Sequence, residues 1–315
     1  MTRTAQTVTA TTAVPAPTGG LVRAYLELCK PKVVAVMIFT ALVGELLADP
    51  LGLPVKALLF GNLGIAMAAG SAAAINHLID RRIDARMART RRRPIPTGVI
   101  PTGHALAFAL VLGTAGLTLL YTLVNPLTAG LTFASLIGYA VVYTGFLKRA
   151  TSQNIVIGGL AGAAPPLLGW TAVTDQIEAL PVLLVMIVFV WTPPHFWPLA
   201  IHRVEDYRRA DVPMLPVTHG EAHTRWQVLF YTALLVAVTL VPALMGLTGF
   251  IYPAAALTLG GMFLWYSGSM LVSSDASWPM RTFRFSIIYI LLLFGAFLAD
   301  SYVSALLGQG NVTFR

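Results

Sequence analysis

Apolar residues run through this chain in long, nearly unbroken stretches, with polar residues gathered between them. A helix needs about 20 such residues to cross a bilayer. The runs predict helices near 33–50, 56–80, 104–124, 126–147, 154–173, 179–202, 226–247, 250–272 and 285–306. The expected fold class is all-α: a polytopic membrane protein of nine transmembrane helices bundled around a central cavity opening to the cytoplasmic face. Asn125-Pro126 leaves almost no loop between the third and fourth spans, so these read as a hairpin. The mixture of Gly, Pro and Ala within the runs excludes a lipid-spanning β-barrel, whose strands alternate apolar and polar over about ten residues.

Composition agrees with this reading: of 315 residues, 57% are hydrophobic and 11% charged. The net charge of +8 raises nucleic acid as a partner, but the distribution of charge argues against it. With nine spans, only Lys56 and Arg315 of the 21 basic residues fall on the side opposite the others. That bias places the N-terminus in the cytoplasm and the C-terminus outside, as expected for a bacterial inner (cytoplasmic) membrane protein. Residues 1–23 read as a disordered cytoplasmic tail rich in Thr, Ala and Pro, 24–306 as one transmembrane domain, and 307–315 as a short non-cytoplasmic tail. Cys29 is the single cysteine, so no intrachain disulfide forms.

Connections are short except near 81–103 and 203–225. Each follows an even-numbered span and opens on an acidic cluster, a pattern like a diverged internal duplication. Matched long loops on one face point to a site there. Gly158, Gly159, Gly162, Gly260 and Gly261 read as small faces for helix packing. Pro165-Pro166 and Pro193-Pro194 remove backbone donors, and the carbonyls they free need protein or water around them. The fifth and sixth spans are therefore expected to line a cavity.

Asn76, Asp80 and Asp84 stand at i, i+4 and i+8, on roughly one helical face with about 6 Å of rise per step. Two carboxylates and an amide oxygen suit one or two magnesium ions, with substrate oxygens completing the shell. The alternative is that the two acids pair with Arg81, Arg82 or Arg86 on a solvated helix end. The arginines from Arg86 to Arg93 serve either as a positive-inside anchor or as a diphosphate clamp, since guanidinium forks match phosphate oxygens.

Asn-x-x-x-Asp-x-x-x-Asp at 76–84, followed by Met87, Arg89-Thr90 and Arg93-Pro94, resembles the UbiA-type intramembrane prenyltransferase superfamily. Trp191-Thr192-Pro193-Pro194-His195-Phe196-Trp197-Pro198, then Glu205-Asp206-Tyr207 and Pro213-Met214-Leu215-Pro216, is similar to its haem O synthase branch. So are Tyr143-Thr144 to Lys148-Arg149, Asn154, Gly158 and Pro165-Pro166. The resemblance implies an alkyl or aryl transferase moving farnesyl from farnesyl diphosphate to a vinyl group of haem b, for terminal oxidase assembly. Asp80, Asp84 and Asp206 are then the catalytic acids, holding Mg2+ together with Asn76. Arg89, Arg93, Lys148, Arg209, Tyr143 and Tyr207 meet the diphosphate. His195 is either a packing residue or a contact to the haem iron or a propionate. Haem b enters as substrate, Mg2+ as cofactor, and haem A synthase or oxidase assembly factors as partners. One departure is Asp211, where the branch usually carries a helix-ending Gly. The rival readings are an aromatic quinone precursor as acceptor, a transporter, or a structural assembly subunit.

Overall fold

A computed structural model describes residues 20–307. Among them, nine helices are long and apolar enough to cross a membrane: Pro31–Ala48, Ala57–Ile79, Thr102–Leu123, Pro126–Ala150, Asn154–Thr174, Ala179–His202, Gly220–Leu244, Ile251–Val272 and Trp278–Leu306. The seventh and ninth begin several residues before the apolar runs that predict them. Helical geometry continues past the apolar core wherever polar residues support it. Glu221 and Arg225 form an i,i+4 pair at 3.8 Å in the seventh span, and Pro279 occupies the first turn of the ninth, where its missing N–H costs nothing.

The expected N-terminal tail overlaps a short helix, Gly20–Leu28. Its Ala24 and Leu28 are buried, and Tyr25 meets the Phe108 ring at 4.9 Å. The rest of that tail, and the C-terminal tail from residue 308, lie outside the described residues.

Close backbone approach fixes two of the helix crossings. A Cβ on Gly44 would sit 2.0 Å from the Pro166 carbonyl oxygen, and one on Gly169 would sit 1.9 Å from that of Ala41. The first and fifth spans thus touch main chain to main chain, and Gly64 and Gly116 do the same for the second and third. Of the glycines read as packing faces, Gly158, Gly159 and Gly260 abut neighbouring side chains, whereas Gly162 and Gly261 have open space beside them.

The two proline pairs behave differently. The fifth span divides into Asn154–Ala163 and Pro165–Thr174, with the prolines starting the second half. The sixth runs unbroken through Pro193, Pro194 and Pro198. At the opposite end of the bundle from the long loops, buried Asp300 accepts hydrogen bonds from the amides of Gly249, Ile251 and Tyr252. It satisfies donors that the start of the eighth span would otherwise leave unpaired.

The hairpin joint is capped by Asn125, whose side chain accepts from the Thr128 amide at 2.8 Å. Beyond it the fourth span is α-helical over Pro126–Ile137 and then widens into a π-helix over Gly138–Leu147. Wide turns of this kind commonly occur at functional sites. Here the segment carries Tyr139, Tyr143 and Thr144 and delivers Lys148 just past its end.

Candidate active site

The second span ends at Ile79, and its last turns carry Asn76 and His77, with Asp80 at the C-cap. Asp84 lies on the short helix Arg81–Arg86 that continues it. All of these are buried: Asn76 is 4% exposed, Asp80 1% and Asp84 3%. Burying acids requires compensation, and each polar group has its own cation. Lys30 Nζ donates to Asn76 Oδ1 at 2.5 Å. Lys148 Nζ meets Asp80 Oδ2 at 2.5 Å, and Arg93 meets Asp84 Oδ2 at 2.8 Å. The expected alternative partners Arg81, Arg82 and Arg86 do not fill this role. Arg86 instead pairs with Asp211 at 3.1 Å, on the surface.

Asn76 also donates through Nδ2 to Asp80 Oδ2 at 2.9 Å and to Thr144 Oγ1 at 3.1 Å. Thr144 in turn donates to the Tyr139 carbonyl at 2.8 Å. Three elements therefore converge on one amide: the start of the first span, the end of the second and the wide segment of the fourth. Tyr139 and Tyr143 stack at 5.6 Å, and Tyr143 lies flat against Gly158, where a Cβ would come within 2.1 Å of the ring.

The second long loop closes over the same region. Ile83 and Met87 from the first loop pack with Tyr207, Ala210, Val212 and Met214 from the second. Tyr207 is buried, which holds its hydroxyl above the usual tyrosine range. Arg89, Arg203 and Arg93 pull it down, while Asp206 adds to the rise. Tyr143 and Asp80 are likewise within electrostatic reach of each other. Asp206 itself is 9% exposed. Glu205 is exposed and paired with Arg208, and Arg209 is also exposed.

Among the described residues, no three His, Cys, Asp or Glu side chains are grouped closely enough to hold a metal ion. Asn76, Asp80, Asp84 and Asp206 therefore do not form a closed shell in this arrangement. The donor set still suits a hard cation. It is all oxygen, and Asp80 Oδ1 is buried without a hydrogen-bond partner.

Sequence reading missed two residues here. In the sequence Lys30 is one more basic residue on the majority side of the membrane, yet it enters the pocket from the left-handed turn that starts the first span, with φ of 50°. Burial and Arg93 draw its ammonium down to about 8; Asp80 and Asp84 oppose this, and Arg89 adds to it. Its position before Pro31 was the available signal, since Pro marks a helix start. His77 is 1% exposed, and neither ring nitrogen has a hydrogen-bond partner. Nothing in its spacing distinguishes it.

Beside these groups lies a mainly apolar cavity of about 540 Å³, lined in part by Lys30, Tyr139, Tyr143, Trp191, His195 and Phe283. The fifth and sixth spans both contribute to its wall. His195 Nδ1 lies 2.7 Å from Ser286 Oγ. Its ring stacks on Trp191 at 4.1 Å and on Phe283 at 4.8 Å.

Buried acids matched with bases beside an apolar, aromatic-walled cavity suit an amphiphile with an anionic head, and the relatives give the class. The model of the UbiA prenyltransferase family matches residues 37–294. The chain is 59% identical over 295 residues to a protoheme IX farnesyltransferase of Alkalilimnicola ehrlichii, covering 93% of this chain and 98% of that one. It is 59% identical over 281 residues to the enzyme of the same name from Azotobacter vinelandii, covering 89% and 94%. In fold, it resembles a digeranylgeranylglyceryl phosphate synthase, with a TM-score of 0.74 at 18% identity over 90% of this chain and 99% of that one. A UbiA homologue from Archaeoglobus fulgidus, solved with GPP and Mg2+, superposes with a TM-score of 0.64 at 16% identity, covering 88% and 99%.

The protein is thus an integral membrane prenyltransferase enzyme, which sets aside the transporter and structural-subunit readings. The chain belongs to the UbiA prenyltransferase family.

Proposed function

We propose that the protein transfers the farnesyl group of farnesyl diphosphate to a vinyl group of haem b, giving haem O for terminal oxidase assembly. The observation that carries this reading is the set of Asn76, Asp80 and Asp84, each matched with a cation beside an aromatic-walled apolar cavity. The named function of the relatives supports haem as acceptor. The bias of basic residues supports an inner-membrane orientation with the N-terminus in the cytoplasm and the cavity opening there.

Asn76, Asp80, Asp84 and Asp206 would hold Mg2+, which when bound supplies positive charge to the diphosphate oxygens. Lys30 would turn from Asn76, and Lys148 and Arg93 from Asp80 and Asp84, to the diphosphate, joined by Arg89, while Tyr143 and Tyr207 donate hydroxyl hydrogens. Exposed Arg209 adds long-range attraction at the entrance. Concentrated, prearranged charge stabilises the departing diphosphate, which takes the electron pair of the allylic C–O bond. The apolar cavity keeps water from the farnesyl cation. The haem vinyl carbon attacks that cation, water adds to the resulting cation on the haem side, and a proton leaves, giving a hydroxyethylfarnesyl substituent. His195 contacts the acceptor through its iron or a propionate.

The test is incubation of purified protein with farnesyl diphosphate, Mg2+ and haem b, with mass spectrometry of the haem and measurement of released pyrophosphate. The haem mass should increase by a farnesyl group plus a hydroxyl group. Asp80→Ala should abolish this while leaving an inserted, folded protein. Prenylation of a hydroxybenzoate with haem b untouched would establish an aromatic quinone precursor as acceptor and overturn the proposal.

A further inference from the structure

Ser286 is fully buried on the ninth span, and its surroundings assign its hydrogen bonds. Its hydroxyl donates to the Phe283 carbonyl at 2.7 Å. That uses its only hydrogen, so toward His195 Nδ1, 2.7 Å away, the oxygen accepts. The neutral imidazole carries a single N–H, and Nδ1 spends it on Ser286. The opposite nitrogen, Nε2, is left with a bare lone pair and makes no hydrogen bond among the described residues. The Ser286 carbonyl also holds the neighbouring wall, accepting from Trp191 Nε1 at 2.8 Å.

The ring's faces are occupied as well. Trp191 lies 4.1 Å away at 13° to the imidazole plane, and Phe283 lies 4.8 Å away at 26°. Two near-parallel rings at those distances cannot share one face, so they cover both. His195 therefore cannot stack on a flat acceptor and offers the cavity only an edge. A lone pair on an edge cannot donate to a propionate, but it suits a Lewis acid approached in the ring plane, which is how imidazole ligates haem iron.

We propose that His195 ligates the acceptor's iron through Nε2, and that Ser286 is the positioning residue that fixes the tautomer and ring orientation for it. A porphyrin held this way stands across the imidazole plane, with Trp191 and Phe283 acting as clamps on the ligand rather than as stacking platforms. This rests on haem being the acceptor, as proposed above, and it selects iron over a propionate as the point of contact.

Purified protein is titrated with ferric haem b and, separately, with iron-free protoporphyrin. The Soret band and low-temperature electron spin resonance are followed, and farnesyl diphosphate binding is measured in parallel as the control for folding. Unsubstituted protein should show an imidazole-ligated spectrum and prefer haem to the iron-free ring. His195→Ala should lose both features and keep farnesyl diphosphate binding, and added imidazole should restore the ligated spectrum to His195→Gly. Ser286→Ala should weaken haem binding by about tenfold or more, the usual effect of removing a ligand's hydrogen-bond partner, and Ser286→Thr should recover it.

An unchanged Soret band and undiminished haem preference in His195→Ala would overturn ligation, and haem affinity unaltered in Ser286→Ala would overturn the positioning role. Failure of unsubstituted protein to bind haem at all would instead remove the acceptor assignment on which both depend.

Discussion

Replacing Lys148 with Met removes the ammonium that neutralises Asp80. The pair is well shielded, with side-chain exposures of 15% for Lys148 and 2% for Asp80. Breaking such a pair by deleting one partner costs about 3–5 kcal/mol, because the remaining charge stays buried. The lower end applies here. Asn76 Nδ2 also donates to the same carboxylate oxygen, and Asp80 is within electrostatic reach of Lys30. At about 2–4 °C per kcal/mol for chains approaching this size, a loss of 3 kcal/mol lowers the melting temperature by roughly 6–12 °C. Two further arms identify the cause. Asp80→Asn in the Lys148→Met background removes the stranded charge and should restore most of the loss. Magnesium should stabilise Lys148→Met more than the unsubstituted protein, since its competitor for Asp80 is gone; a ligand at a hundredfold its Kd contributes about 2.7 kcal/mol. Thermal unfolding in detergent, followed by tryptophan fluorescence with and without Mg2+, provides the measurement. The charge argument fails if Lys148→Met melts with the unsubstituted protein, or if magnesium affects the two alike.

Three further substitutions test the packing and the loop. Gly158→Ala drives a methyl into the Tyr143 ring; it should cost about 1–3 kcal/mol and weaken farnesyl diphosphate binding in a titration. Gly162→Ala, with open space at its Cβ, is the matched control and should be close to neutral. Asp211 has φ of 53°, a left-handed conformation costing a side-chain-bearing residue about 1–2 kcal/mol, less for Asp. Its exposed pair with Arg86 returns at most about 1 kcal/mol. Asp211→Gly should therefore melt at the same temperature or slightly higher with unchanged turnover, and a clear fall in melting temperature would refute the strain reading.

The spans were legible because each needs a long apolar run, and sequence shows such runs directly. Their starts were less so: the seventh and ninth extend into polar residues such as Glu221 and Arg225, which hydropathy scores as loop but helical pairing retains. Asn76, Asp80 and Asp84 could be grouped because they share one helix, where spacing is geometry. Lys30, Thr144 and Ser286 could not, because each reaches its partner across the bundle, and no periodicity links residue 30 to 76 or 195 to 286. The same limit explains the arginines. Arg93 folds back onto Asp84, while Arg86 reaches across to the other loop and Arg209 stays exposed. Composition gives all three the same chemistry, and only the chain path separates them. Asp211 lies between these cases: a helix-ending Gly at that position implies a left-handed turn, and the Asp adopts one.

The wide helical segment of the fourth span sets the phase of everything that follows it. Inserting a single residue there, after Val142 for instance, with the hydrogen-bond pattern around it kept, would rotate the remainder of the helix by about 100°. Lys148 would swing away from its carboxylate, and the tyrosine would leave its glycine seat. The segment would still be long and greasy enough to span the bilayer. An insertion or deletion invisible to any hydropathy profile would thus leave the membrane protein standing and disconnect its chemistry.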